Sequence, residues 1–148
     1  MKPEYIILHH SLTKDSGTVS WSAIRRYHME KLGYADCGYH FGIEQIGNHY
    51  EILTGRMMNE TGAHCRQDHM NYKSLGICFI GNFDITPPPD QMLGLGIRLV
   101  ASLCDTLSIS IDRIYPHSLL ADKTCPGTMF DVDSFIEAVE RKLKWINL

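Results

Sequence analysis

His117 and Cys125 lie eight residues apart in the stretch PHSLLADKTCPG, Pro116 to Gly127, and Lys123 stands two residues before the cysteine. A neutral imidazole and a thiolate are good zinc ligands, and a loop of this length can bring them together. Two ligands do not make a site. The first apolar run, YIILHH from Tyr5, offers a third in His9. Three protein ligands leave one position of a tetrahedral zinc open to water, whose pKa can then fall to about 7. A His–Cys pair at this spacing also arises by chance, and Lys123 alone reads equally well as a solvated loop charge, so the weight rests on the rest of the chain.

Something must position these residues. Tyr5 to His10 reads as a central strand, because Ile6, Ile7 and Leu8 form a continuous apolar run. Side chains alternate along a strand, so His9 and His10 point opposite ways and at most one faces a given site. Ser20 is a plausible N-cap for a helix carrying Trp21, Ile24, His28 and Leu32 at helical spacing, ended by Gly33. His28 falls on the apolar stripe, where a satisfied core histidine is the commoner outcome than a ligand. Tyr39 to Gln45 reads as a second strand with Tyr39, Phe41 and Ile43 on one face. Gly47-Asn48 is a hairpin signal, and His49 to Thr54 returns. The loop from Gly55 to Lys73 is long enough to expect function in it, and it carries His64, His69 and Asn71.

Leu75 to Ile80 reads as another apolar strand. Thr86, before Pro87, Pro88 and Pro89, can cap a helix running to about Leu107 with Met92, Leu95, Leu99 and Leu103 inward. Gly94 and Gly96 weaken that helix, and close packing on the sheet is the default reason for them. Ile111 to Tyr115 reads as a short strand leading into His117. Asp131 or Asp133 opens a last helix with Val132, Phe135, Ile136, Val139, Leu143 and Ile146 as its apolar stripe. Strands and helices intermix, so the expected fold is α/β: a single mixed central β-sheet flanked by α-helices, residues 1–148 forming one domain.

The chain has 148 residues, 44% of them hydrophobic, enough for one real core. A net charge of −3 with no run of Lys or Arg argues against nucleic acid as a partner. Five cysteines in no regular framework, with Cys78 and Cys104 inside apolar runs, point to a reduced chain rather than a disulfide scaffold. The N-terminal apolar run is too short for a signal peptide or membrane span, so the expectation is a chain that is cytoplasmic as synthesised, not inserted in a membrane, and carried to any external substrate by something else.

Five segments in order, YIILHHS, YHMEKLGYADCGYHF, GAHC, NYKSLGICFIGNF and HSLLADKTCPG, resemble the zinc-dependent N-acetylmuramoyl-L-alanine amidases of the phage T7 lysozyme type, to which peptidoglycan recognition proteins are related. The resemblance covers nearly the whole chain. It implies one Zn²⁺ per chain on His9, His117 and Cys125, with Tyr39 and Lys123 catalytic and His64 and Asn71 lining the substrate groove. It implies peptidoglycan or muropeptide as substrate and cleavage of the amide between N-acetylmuramic acid and L-alanine, as in a phage or prophage endolysin. The alternatives are a cytosolic muropeptide-recycling amidase and a non-catalytic peptidoglycan-binding module. If Asp122 to Cys125 is extended, Lys123 and Cys125 project to one side, which places an ammonium where an oxyanion would form. The chain starts almost at its first strand, so the polymerase binding of the T7 protein is not expected of it, nor is a separate wall-binding domain.

Overall fold

A computed structural model of the chain describes residues 1–13 and 21–147. Among the described residues, five strands form one sheet: β1 (Tyr5–His10), β2 (Phe41–Ile46), β3 (His49–Thr54), β4 (Ser74–Phe79) and β5 (Ile114–Pro116). The helices are α1 (Trp21–Glu30), α2 (Asp90–Leu107) and α3 (Val132–Ile146). The strand order is β3-β2-β4-β1-β5. Strand β1 runs parallel to both β4 and β5, β2 runs parallel to β4, and β2 and β3 form an antiparallel hairpin. The sheet is therefore mixed and flanked by helices, as the sequence pattern implies.

The pleat of β1 divides its residues between two environments. Ile6 and Leu8 join Ile43, Ile77 and Phe79 in the main core, with residues of α2 and α3 such as Val100 and Val139. Ile7 points the other way, toward Cys65 and Met70. On that second face α1 packs Trp21 and Ile24 against Cys37, Cys78 and Ile80. A strand covered on both sides needs an unbroken apolar run, and β1 has one. All five cysteines are free and buried.

Several expectations are corrected locally. Ser20, the expected cap of α1, lies outside the described residues. Strand β2 begins at Phe41, not Tyr39. Tyr39 does not share a face with Phe41 and Ile43: those two join the main core, whereas Tyr39 packs with the Trp21 cluster. The chain bends at residues 38–40, so strand alternation does not extend back to Tyr39. Thr86 does not cap α2. Pro89 occupies that position without a side-chain cap, because each proline drives the preceding residue out of the helical region and the helix can begin only after the last of them. Gly96 is buried, and a Cβ there would lie 2.5 Å from the Phe79 ring, so close packing explains it. A Cβ on Gly94 meets nothing, and packing does not explain that residue. Asp131 caps α3 by accepting the Ser134 amide. The end of the α3 stripe does not hold, as Ile146 is exposed.

Candidate active site

His9 is the second-last residue of β1, in register with Cys78 of β4. Strand alternation turns His9 toward the α1 face, and His10 goes to the other, where its ring packs near Phe83. The Phe83 amide donates to His10 Nδ1 at 3.2 Å. His117 follows directly on β5, the parallel neighbour of β1. The two histidines thus meet at the carboxyl ends of adjacent parallel strands, the usual place for ligand chemistry in open α/β sheets.

Cys125 arrives on the loop after His117, and that loop is tied down along its length. The Ser118 amide donates to the Cys125 carbonyl at 2.8 Å. The Thr124 hydroxyl and the Thr128 amide donate to the two oxygens of Asp84, at 2.7 and 2.8 Å. Gly127 has φ +121, and a Cβ there would lie 2.5 Å from the backbone of Phe83, so only glycine fits. The His10 amide donates to Cys125 Sγ at 3.3 Å.

The candidate ligand atoms of His9, His117 and Cys125 all lie within 4.8 Å of one another, and all three residues are buried. His9 Nδ1 and Cys125 Sγ are 3.6 Å apart. Zinc bonds of about 2.0–2.1 Å to nitrogen and about 2.3 Å to sulfur, opened to the tetrahedral angle, separate nitrogen and sulfur by about 3.6 Å. The donor set and its spacing therefore fit zinc.

Electrostatics agree with that fit. Burial, assisted by the Lys123 ammonium, lowers His117 to about 4. Burial first, and His64 and His117 next, hold His9 well below the ordinary imidazole range. Both rings are neutral at physiological pH, the form that binds a metal. Burial pushes the Cys125 thiol up to about 11. A cation is what such a buried sulfur needs in order to ionise.

Lys123 and His117 border one polar groove of about 400 Å³, with Tyr34, His64, Arg66 and Asn71 also on its wall. Tyr39 is not on that wall. It lines a second hollow of about 360 Å³ with Ser11, Ile24, Tyr27 and His28. Its ring lies 5.1 Å from that of His9. Burial first, and the nearby Cys78 and Cys125 next, raise Tyr39 well above the usual phenol range. It is a neutral phenol, fit to donate a hydrogen bond rather than to act as a base. His28 is satisfied structurally, its Nδ1 accepting the Gly38 amide at 2.9 Å.

The long loop holds its polar groups differently from a free groove wall. Asn71 Oδ1 accepts from the amides of both His64 and Cys65, each at 2.8 Å. His64 aims its ring at His9, with Nδ1 3.0 Å from His9 Nε2. His69 is exposed at φ 58 and joins neither group. Sequence reasoning missed Asp84 altogether, since a lone aspartate 40 residues from Thr124 carries no signal of the contact. It also gave no role to the glycines around His64, although Gly62 stands two residues before it in the chain.

A sequence profile described as N-acetylmuramoyl-L-alanine amidase matches residues 1–128. The chain belongs to this amidase family. Among curated relatives, the endolysin of Enterobacteria phage T3 is 33% identical over 143 residues, covering 93% of this chain and 87% of the phage protein. Among solved structures, the endolysin amidase LysCS from Clostridium intestinale superposes with a TM-score of 0.80 at 26% identity, covering 97% of this chain and 84% of that one. A point mutant of the Drosophila peptidoglycan-recognition protein LB, in complex with tracheal cytotoxin, gives a TM-score of 0.75 at 30% identity, covering 90% of this chain and 80% of that one. The fold of the amidase family is thus the mixed, helix-flanked sheet described above. Among the described residues no helix is long and apolar enough to cross a membrane.

Proposed function

We propose that the chain is a zinc-dependent N-acetylmuramoyl-L-alanine amidase, an endolysin that cleaves the amide joining the lactyl group of N-acetylmuramic acid to L-alanine of the stem peptide. The observation that carries this reading is the buried His9–His117–Cys125 cluster with ligand atoms within 4.8 Å, in a chain of the amidase family with Lys123 beside it. Those three residues would hold the zinc, which when bound activates water and polarises the scissile carbonyl. Lys123, on the groove wall with His117, offers its ammonium to the oxygen on which negative charge develops. Tyr39, on the α1 side of His9, donates a hydrogen bond to orient the reacting groups and keeps its own proton. His64 and Asn71 belong to the groove through the loop they build. The relative solved with tracheal cytotoxin supports a peptidoglycan-derived ligand, and the endolysin relatives support an endolysin over a recycling enzyme.

The test is incubation with intact peptidoglycan and, separately, with isolated anhydro-muropeptides, followed by mass spectrometry of the termini. New L-alanine amino termini from intact wall, abolished by a chelator and restored by zinc, are expected. Cleavage of anhydro-muropeptides alone would make it a recycling enzyme. Binding without new termini would make it a recognition module, the second reading that the Drosophila relative keeps open.

A further inference from the structure

We infer that His64 is a positioning residue for His9: it accepts the Nε2 proton of that ring and so leaves Nδ1 of His9 free for the metal. The inference rests on the zinc reading above and goes beyond it by assigning the proton on each ring.

The proton assignment follows from one fixed point. His64 Nε2 lies 3.4 Å from the Ser74 carbonyl oxygen. A carbonyl can only accept, so Nε2 of His64 carries a hydrogen. A neutral His64 then has its lone pair on Nδ1, which faces His9 Nε2 at 3.0 Å. That contact is a hydrogen bond only if His9 Nε2 donates. His9 then has its lone pair on Nδ1, the nitrogen 3.6 Å from Cys125 Sγ. Every proton has one place, and the free lone pair ends in the ligand cluster. Histidine ligands commonly give their second N–H to a carboxylate, carbonyl or water. Here an imidazole takes it and passes the polarity on to a backbone carbonyl.

The His64 ring is held in a built seat. A Cβ on Gly76 of β4 would lie 2.6 Å from the ring, and one on Gly62 would lie 2.5 Å from it. Any side chain at either position displaces the imidazole. The Asn71 side chain clamps the His64 and Cys65 amides, and the Gly62 amide donates to the Asn71 carbonyl at 2.9 Å. His40 fixes the strand beneath, its Nδ1 accepting the Gly76 amide and its Nε2 reaching the Glu60 carbonyl, each at 3.0 Å. Both ring nitrogens of His64 are thus spent inside the protein, which leaves neither for a substrate. The expectation that His64 binds substrate gives way to one in which it sets the tautomer of a ligand.

The experiment uses the whole chain. Zinc affinity is measured by competition with a chromophoric chelator, and the histidine tautomers by long-range proton–nitrogen NMR on the zinc-loaded protein. The wild type should show zinc on Nδ1 of His9 and hydrogen on Nε2. His64→Phe fills the seat but accepts nothing, and zinc binding should weaken by about 10–100-fold. His64→Gln can accept from His9 through its amide oxygen and donate to Ser74 through its amide nitrogen, so it should restore affinity to within a few-fold of wild type. A merely structural role would leave the tautomer unmoved and would not be rescued by glutamine. If His64→Phe does not fold, the wild-type spectrum still decides. Zinc on Nε2 of His9, equal affinity in all three proteins, or a glutamine variant as weak as the phenylalanine one overturns the inference and leaves the zinc reading standing. A wild-type protein that binds no zinc overturns both.

Discussion

The two faces of the sheet are built from the same strands to opposite ends. Under α2 and α3, β1 and β4 present Ile6, Leu8, Leu75, Ile77 and Phe79, all fully buried. The Phe79 ring meets Phe130 and Phe135 at centroid distances of 5.1 and 5.7 Å. On the other face the same strands present His9, Gly76 and Cys78, and rings are laid onto them: His64 over Gly76, and Trp21 over Gly42 of β2. The first face is held by area and close packing. The second adds to its two smaller apolar clusters a set of hydrogen bonds of defined direction, several of them ending on histidine nitrogens. Large apolar side chains stabilise a core without demanding a single proton arrangement, whereas a metal site needs each ring in one tautomer. The strands can supply both because side chains alternate with period two.

Emptying the apolar face should have the largest effect. Phe79→Ala should cost about 3–5 kcal/mol, a large part of the roughly 5–15 kcal/mol that holds a domain of this kind. Thermal or urea unfolding should show it, and zinc binding and hydrolysis should fall together with the folded fraction.

Cys125→Ser should separate the faces. The hydroxyl rarely ionises to bind zinc, so metal binding should weaken beyond the roughly 100-fold typical of outer partners, and hydrolysis should be lost. Unfolding of the metal-free variant should stay within about 1 kcal/mol of the metal-free wild type, because the change is nearly isosteric. Retention of both zinc and full activity would refute the ligand assignment. Lys123→Ala should divide the polar face itself. Zinc and peptidoglycan binding should remain while kcat falls by about 100- to 1000-fold, the loss expected when one oxyanion partner goes. A fall in zinc content alongside kcat would place Lys123 with the ligands instead.

Gly76→Ala tests whether the seat of His64 is as tight as its 2.6 Å clearance indicates. Overpacking of this kind costs about 1–3 kcal/mol, and zinc affinity should drop with it. The same substitution at Gly94, where a Cβ meets nothing, should stabilise α2 by up to about 1 kcal/mol.

The smallest effect belongs to Asp84. The Thr128 amide and then the Thr124 hydroxyl hold its carboxyl below the ordinary value of 3.8. A depressed folded pKa means stability that is present above the unfolded value and lost as pH falls through the folded one. Asp84→Asn should therefore unfold slightly more easily than wild type at neutral pH, and the two unfolding midpoints should converge as the pH falls through the lowered pKa of the folded carboxyl. A gap that persists in acid would show that the contact does not depend on charge.

Much of the fold was legible because it follows from local pattern. The bounds of β1 and β3 emerge as expected, since an apolar run and a Gly-Asn turn mark them. The cap of α3 is visible because aspartate followed by serine three residues on is a local signal. The misreadings come where neighbours in space override neighbours in sequence. Tyr39 has the spacing of a strand residue yet lies beyond the bend, on the face opposite Phe41. Thr86 has the chemistry of a cap, but three prolines delay the helix.

The site divides along the same line. By itself the sequence determined which side chains could bind a soft divalent cation, because ligand type is a property of the residue, and it set His9 and His10 on opposite faces, because alternation is a property of the strand. It also carried the family, through five segments in order. Only the tertiary structure decided that His9, already named from the sequence, meets His117 and Cys125 within 4.8 Å, that Tyr39 and Lys123 approach from different hollows, and that His64 faces His9 with two glycines making room for it. Those outcomes depend on which strands lie side by side and on distances between residues far apart in the chain, and no local spacing encodes either.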